Sequence, residues 1–214
     1  MTFPVGGSTT TIGIVGAGRL GTAIGRLVAD AGYRLLVTDR PDAAHLELVV
    51  GSVLPEAQLV GLDEIAERAD VVVLAVPMAA ARGLDIEAFR GVVVDATNVW
   101  YDTDATTAHE VGTTATLAAT HPRARIVKTF NHAAYADLLA DARPVGAPGR
   151  RAFAVAGDDV DAVRVAAEVV DRAGFDPLPV PASDAHLLEP SGPVFGRRLE
   201  RADLEAVLAG ARAA

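Results

Sequence analysis

Ile12-Gly-Ile-Val-Gly16-Ala-Gly18-Arg-Leu-Gly21 is the stretch that decides how this chain is read. An apolar run stops at a glycine cluster, and apolar residues then recur at helical spacing: Leu20, Ile24, Leu27, Val28 and Ala31. The pattern predicts a strand over Ile12–Val15 and a helix over Arg19–Asp30, stopped at Gly32, with a second strand over Tyr33–Thr38. In that context each glycine has a task. Gly16 permits the tight turn, Gly18 lets backbone approach a pyrophosphate, and Gly21 lets helix and strand pack closely. Free N–H groups at the helix start, aided by the helix dipole, then face the phosphates.

Working outward, the end of the second strand speaks to the coenzyme. Asp39 lies about 18 residues beyond Gly21, where an acid accepts hydrogen bonds from the adenine ribose. A carboxylate there repels a 2′-phosphate and leans to NAD. Arg40 leans the other way, since a guanidinium pairs a phosphate or stacks on adenine; a solvated charge beside Pro41 is an equal reading. His45 is read as a surface residue. Ligands lie beyond the carboxyl ends of parallel strands, so Ala75, Val76 and Pro77 are expected to line the nicotinamide side. Asn98 is placed to bond ribose or carboxamide, with a plain turn residue as the alternative. The expected coenzyme set is Gly16, Ala17, Gly18, Arg19, Leu20, Gly21, Thr38, Asp39, Arg40, Ala75, Val76, Pro77 and Asn98. Asn131 and His132 are expected to complete the rim.

The rest of the chain alternates strand and helix. Helices are expected over Asp42–Val50, Asp63–Ala69 and Thr103–Thr120, with a short one near Asp85–Phe89; strands are expected over Gln58–Val60, Val71–Val76, Val92–Ala96 and Arg125–Phe130. After a Pro- and Gly-rich candidate linker at Arg143–Arg150 come a strand (Arg151–Gly157), a helix (Asp158–Ala173), a strand (Phe175–Val180), a structured loop (His186–Gly196) and a last helix (Leu199–Ala213). The Asp158 helix is expected to bury Val160, Val163, Ala167 and Val170. The expected architecture is α/β: a doubly wound, mostly parallel Rossmann sheet over residues 1–142, with residues 143–214 as a sheet extension or small lobe.

The chain has 214 residues, half of them hydrophobic, no cysteine and a net charge of −9. That charge disfavours nucleic acid, and the longest apolar run, Val71–Met78, is too short to cross a membrane. Absence of Cys removes disulfides and thiolate metal sites and fits a cytoplasmic setting. No His pair has metal-ligand spacing, Asp102 and Asp104 lack the rest of a calcium loop, and no nucleophile elbow is present. Lys128 is read as a solvated charge at a strand end rather than a catalytic group. The apolar side of Leu199–Ala213 either covers the sheet or makes a homodimer.

Several longer pieces, IGIVGAGRLGTAIGRLVADAG, ADVVVLAVP, VVVDATNVW, RIVKTFNH, FAVAGDD and AGFDPLPVPASDAHLLEP, resemble the NADP-dependent deazaflavin (coenzyme F-420) reductase family. The resemblance implies hydride transfer between nicotinamide C4 and deazaflavin C5, with a flavin as the related acceptor. It also implies that the glycine loop holds pyrophosphate, Val76 and Pro77 back the nicotinamide, and Asn131 and His132 face the acceptor in a catalytic role. Members using NADP usually carry a small polar residue where this chain has Asp39, followed by Arg as in Arg40. The competing expectation is an NAD(P)-binding module that senses redox state or feeds electrons to a partner without turnover of its own.

Overall fold

A computed structural model describes residues 10–40, 46–99 and 113–213. Expectations for His45, Asp102 and Asp104, and for the starts of the helices expected from Asp42 and Thr103, lie outside those residues.

Among the described residues the strands are β1 (Thr11–Val15), β2 (Arg34–Thr38), β3 (Gln58–Leu59), β4 (Val71–Leu74), β5 (Val92–Asp95), β6 (Ile126–Lys128), β7 (Ala152–Ala156) and β8 (Asp176–Val180). They form one eight-stranded sheet in the order β3-β2-β1-β4-β5-β6-β7-β8. All pairings are parallel except β6 with β7, where Lys128 faces Ala156 in an antiparallel step. The helices are α1 (Arg19–Asp30), α2 (Leu46–Val53), α3 (Leu62–Arg68), α4 (Met78–Ala81), α5 (Thr113–Thr120), α6 (Tyr135–Asp141), α7 (Val160–Arg172) and α8 (Arg201–Arg212), with 3₁₀ turns at Ile86–Ala88 and Ala182–Leu188. This is the α/β doubly wound architecture the alternating pattern predicts.

Because parallel strands are covered on both faces, their runs are apolar without a break, and alternate residues serve opposite cores. Val71 and Val73 join Ile12, Ile14, Val92 and Val94 beneath α1 and α7, while Val72 and Leu74 join Val15, Val93 and Ile65 under α3. β7 continues the rule, sending Phe153 and Val155 to the first core and Ala152, Ala154 and Ala156 to a third beneath α8.

Two local readings are corrected. Val160 is 81 % exposed, and α7 buries Ala162, Ala166, Val169 and Val170 instead. The cause is its cap: Asp159 accepts from the Ala162 N–H, fixing where the first turn starts. The Arg125 guanidinium and that N–H together hold the Asp159 carboxyl down at about 2. α4 and α6 were not expected, being short and weakly periodic. Of the two readings of α8, the one in which its apolar side covers the sheet is met: Leu204 and Leu208 enter the third core.

Candidate functional site

Strand order reverses between β1 and β4, and there the carboxyl ends of neighbouring strands diverge and open a crevice. A cleft of about 890 Å³ occupies that place, lined among others by Gly18, Asp39, Val60, Leu62, Val76 and Pro77. The β3–α3 wall of Leu59 to Leu62 was not anticipated from sequence; an apolar pair flanking Gly61 was its only signal.

The glycine loop is shaped by its neighbours. Gly16 has φ +104°, and a Cβ on it would stand 2.6 Å from the Ala75 carbonyl oxygen. A Cβ on Gly21 would stand 1.8 Å from the Gly16 carbonyl oxygen. Over Gly18, in contrast, nothing lies within 4 Å of the Cβ position. Two glycines therefore hold the loop together and the third leaves room above it. Gly18 is also the N-cap of α1 and supplies no side-chain cap, so the first-turn N–H groups keep their donors for an anion. This fits a pyrophosphate.

Thr38 and Asp39 close the loop from the β2 side. The Gly16 N–H donates to the Thr38 carbonyl at 2.9 Å, and the Ala17 N–H donates to Asp39 Oδ2 at 2.7 Å. The Arg40 N–H donates to Asp39 Oδ1 at 2.7 Å, leaving the half-buried carboxylate held on two sides. Arg40 itself is exposed. Arg19, the first residue of α1, donates to the Tyr135 hydroxyl at 3.2 Å and lies over its ring. The Leu20 side chain packs against the core, so only its backbone serves the loop.

On the β4 side, the Ala75 N–H donates to the Val15 carbonyl, while Val76 and Pro77 line the cleft. Thr97 Oγ1 points to Met78 Sδ at 3.7 Å, bringing the segment after β5 beside Pro77. Asn98 is half-buried there; its Nδ2 donates to the Asn131 carbonyl at 2.9 Å, and Asn131 Nδ2 donates back to Asn98 Oδ1 at 3.0 Å.

Asn131 and His132 do not stand on an open rim. Each is 1 % exposed. Asn131 Nδ2 also donates to the Leu188 carbonyl at 2.8 Å, and the His132 ring meets the Phe153 ring at 4.7 Å. Burial, with the Arg151 and Lys128 charges, pushes the His132 imidazole down to about 3. It is therefore a neutral ring at neutral pH, and its Nε2 is buried without a hydrogen-bond partner.

Lys128 is a second correction. It is fully buried rather than solvated, 3.1 Å from Asp95 Oδ2, 3.6 Å from Glu189 Oε1 and within hydrogen-bond reach of the Thr97 carbonyl. Glu189 in turn accepts from the Thr113 N–H and hydroxyl. Burial acts to raise the Asp95 carboxyl, but the Lys128 charge and hydrogen bonds from Thr114 and Thr97 outweigh it and hold the group below the usual carboxylate range. The cluster ties the ends of β5 and β6 to the segment after the second 3₁₀ turn. Nothing in the sequence pattern marked it beyond a lysine inside an apolar strand.

Comparison with known proteins agrees with this geometry. Residues 11–99 match the family described as NADP oxidoreductase coenzyme F420-dependent. That span holds β1 to β5, the Rossmann-type half of the sheet that frames the cleft. The family resemblance read from the sequence is borne out over that span. The chain is similar to a hypothetical protein from Sinorhizobium meliloti, at 28 % identity and TM-score 0.74, covering 90 % of this chain and 96 % of that one. It also superposes on a protein from Arthrobacter sp. fb24 proposed to be an F420-dependent NADP reductase; the TM-score is 0.70 at 20 % identity, over 89 % and 99 % of the two chains, a likeness of fold. A glyoxylate reductase from Thermococcus onnurineus is 41 % identical over 68 residues, which make up 32 % of this chain and 19 % of that reductase. Among the described residues no helix is long and apolar enough to cross a membrane.

Proposed function

We propose that the protein transfers a hydride between a nicotinamide dinucleotide and a deazaflavin (coenzyme F-420) or flavin acceptor, with NAD favoured over NADP. The observation that carries the reading is the open space over Gly18 at an uncapped helix start, bounded by the Asp39 carboxylate. Bound there, the coenzyme supplies the hydride from its nicotinamide ring. The chain's own part is to grip the diphosphate through backbone N–H groups and to hold the ring against Val76 and Pro77 out of water. Asp39 disfavours a 2′-phosphate by charge.

One observation favours a second reading, a coenzyme-binding module that senses redox state or passes electrons to a partner: Asn131 and His132, expected to face an acceptor, are enclosed. A single assay separates the two. Purified protein is mixed with NADH or NADPH and, in turn, a deazaflavin, FMN and FAD, and coenzyme oxidation is followed at its near-ultraviolet absorbance. Turnover with one acceptor supports the enzyme. Tight coenzyme binding without turnover on any acceptor supports the module.

A further inference from the structure

Phe130 is the one non-glycine residue at positive φ (65°) among the described residues, and it sits between the end of β6 and Asn131. A left-handed conformation is unfavourable for an aromatic residue, and such outliers persist where the surroundings over-determine them. The Phe130 side chain is fully buried edge-on against Phe153 at 5.7 Å, which locks the turn. Its consequence is the direction taken by Asn131. The chain turns so that the Asn131 amide meets both Asn98 and the Leu188 carbonyl, and its own carbonyl receives Asn98 Nδ2.

Resting on the coenzyme reading above, we infer that Asn131 is a positioning residue that fixes the rotamer and amide orientation of Asn98, and that Asn98 in turn bonds the nicotinamide half of the coenzyme. An amide has two N–H donors and two acceptor lone pairs. The reciprocal pair uses one donor and one lone pair of Asn98, leaving a second donor and a second lone pair on a half-buried group just after β5, next to Thr97, whose hydroxyl meets Met78 Sδ. That remaining capacity suits a carboxamide or ribose hydroxyl. Asn131, with both Nδ2 donors spent on Asn98 and Leu188 and itself enclosed, supports that contact without making it.

The test compares NADH with ADP, which carries the adenine half and the diphosphate but no nicotinamide half. Calorimetric titration is run on the full chain as wild type, Asn98→Ala, Asn131→Ala and the double variant. Asn131→Ser, which keeps a small polar group under Leu188, serves if the alanine variant unfolds. Each single change is expected to weaken NADH by about fivefold to tenfold while ADP stays within about twofold, and the double variant is expected to match Asn98→Ala. Equal loss of NADH and ADP, full additivity in the double variant, or no effect of Asn131 overturns the inference while leaving the coenzyme site standing. Failure of wild-type protein to bind either molecule overturns both.

Discussion

The Ala17 N–H donates to Asp39 Oδ2 at 2.7 Å, so one carboxylate both fastens the glycine loop and lines the cleft. In the proposed function, the loop's shape and the choice of coenzyme therefore meet in one side chain. Replacing Asp39 with Ser removes the like charge that opposes a 2′-phosphate. At an effective dielectric near 20 a close charge pair is worth a few kcal/mol, so the NADP:NAD affinity ratio is expected to rise by about tenfold or more. Parallel titrations with both coenzymes check it; an unchanged ratio means that Asp39 serves the loop alone.

Gly21 and Gly18 share a motif but not a function. A Cβ at Gly21 would meet the Gly16 carbonyl oxygen at 1.8 Å, and backbone there has no room to yield. Gly21→Ala is therefore expected to cost ~3 kcal/mol or more in denaturant unfolding, the upper end of overpacking penalties. A loss under about 1 kcal/mol contradicts the close approach of α1 to the loop.

Lys128 balances two carboxylates in a dry interior. Lys128→Met leaves Asp95 and Glu189 without their cation, a change that costs ~3–5 kcal/mol for a buried pair. For a chain of this size that corresponds to a fall of roughly 10 °C in Tm. Near-wild-type melting would show the lysine to be replaceable and the charge cluster unimportant to the fold.

His132 makes a pH prediction of definite sign. Its folded value lies near 3 against an ordinary 6.5, so the unfolded chain takes up a proton that the folded chain refuses. The stability associated with the neutral ring is complete above about pH 6.5 and declines as pH falls toward 3, at up to ~1.4 kcal/mol per pH unit. His132→Gln is expected to flatten the decline between pH 6.5 and 5 in thermal melts. An identical slope in the variant places the acid sensitivity elsewhere.

What could be read from sequence was what local physics dictates. The β1–loop–α1 unit declares itself because strand burial, glycine sterics and helical spacing all act within twenty-odd residues, and Asp39 follows from the length of one helix and one strand. Lys128 could not be read this way: its partners Asp95 and Thr113 come from other stretches of chain, and Glu189 from beyond β8. The burial of Asn131 and His132 likewise depends on Leu188 and Phe153, which reach them only once the sheet is complete. Val160 misled because apolar spacing alone does not reveal that it is the exposed first residue of α7, directly after the Asp159 cap. α6 was hidden for a related reason, since only Leu138 and Asp141 of its seven residues are buried and Leu139 is exposed.

The central claim is that backbone donors at the start of α1, beneath the open space over Gly18, hold a dinucleotide. Calorimetric titration of NADH into wild-type protein and Gly18→Val tests it most directly, because the Val side chain enters that space without meeting protein near its Cβ. Saturable one-site heat in the wild type and none in the variant, with the two proteins melting within about 2 °C of each other, is the predicted result. Equal binding by both proteins, or no binding by the wild type, would contradict it.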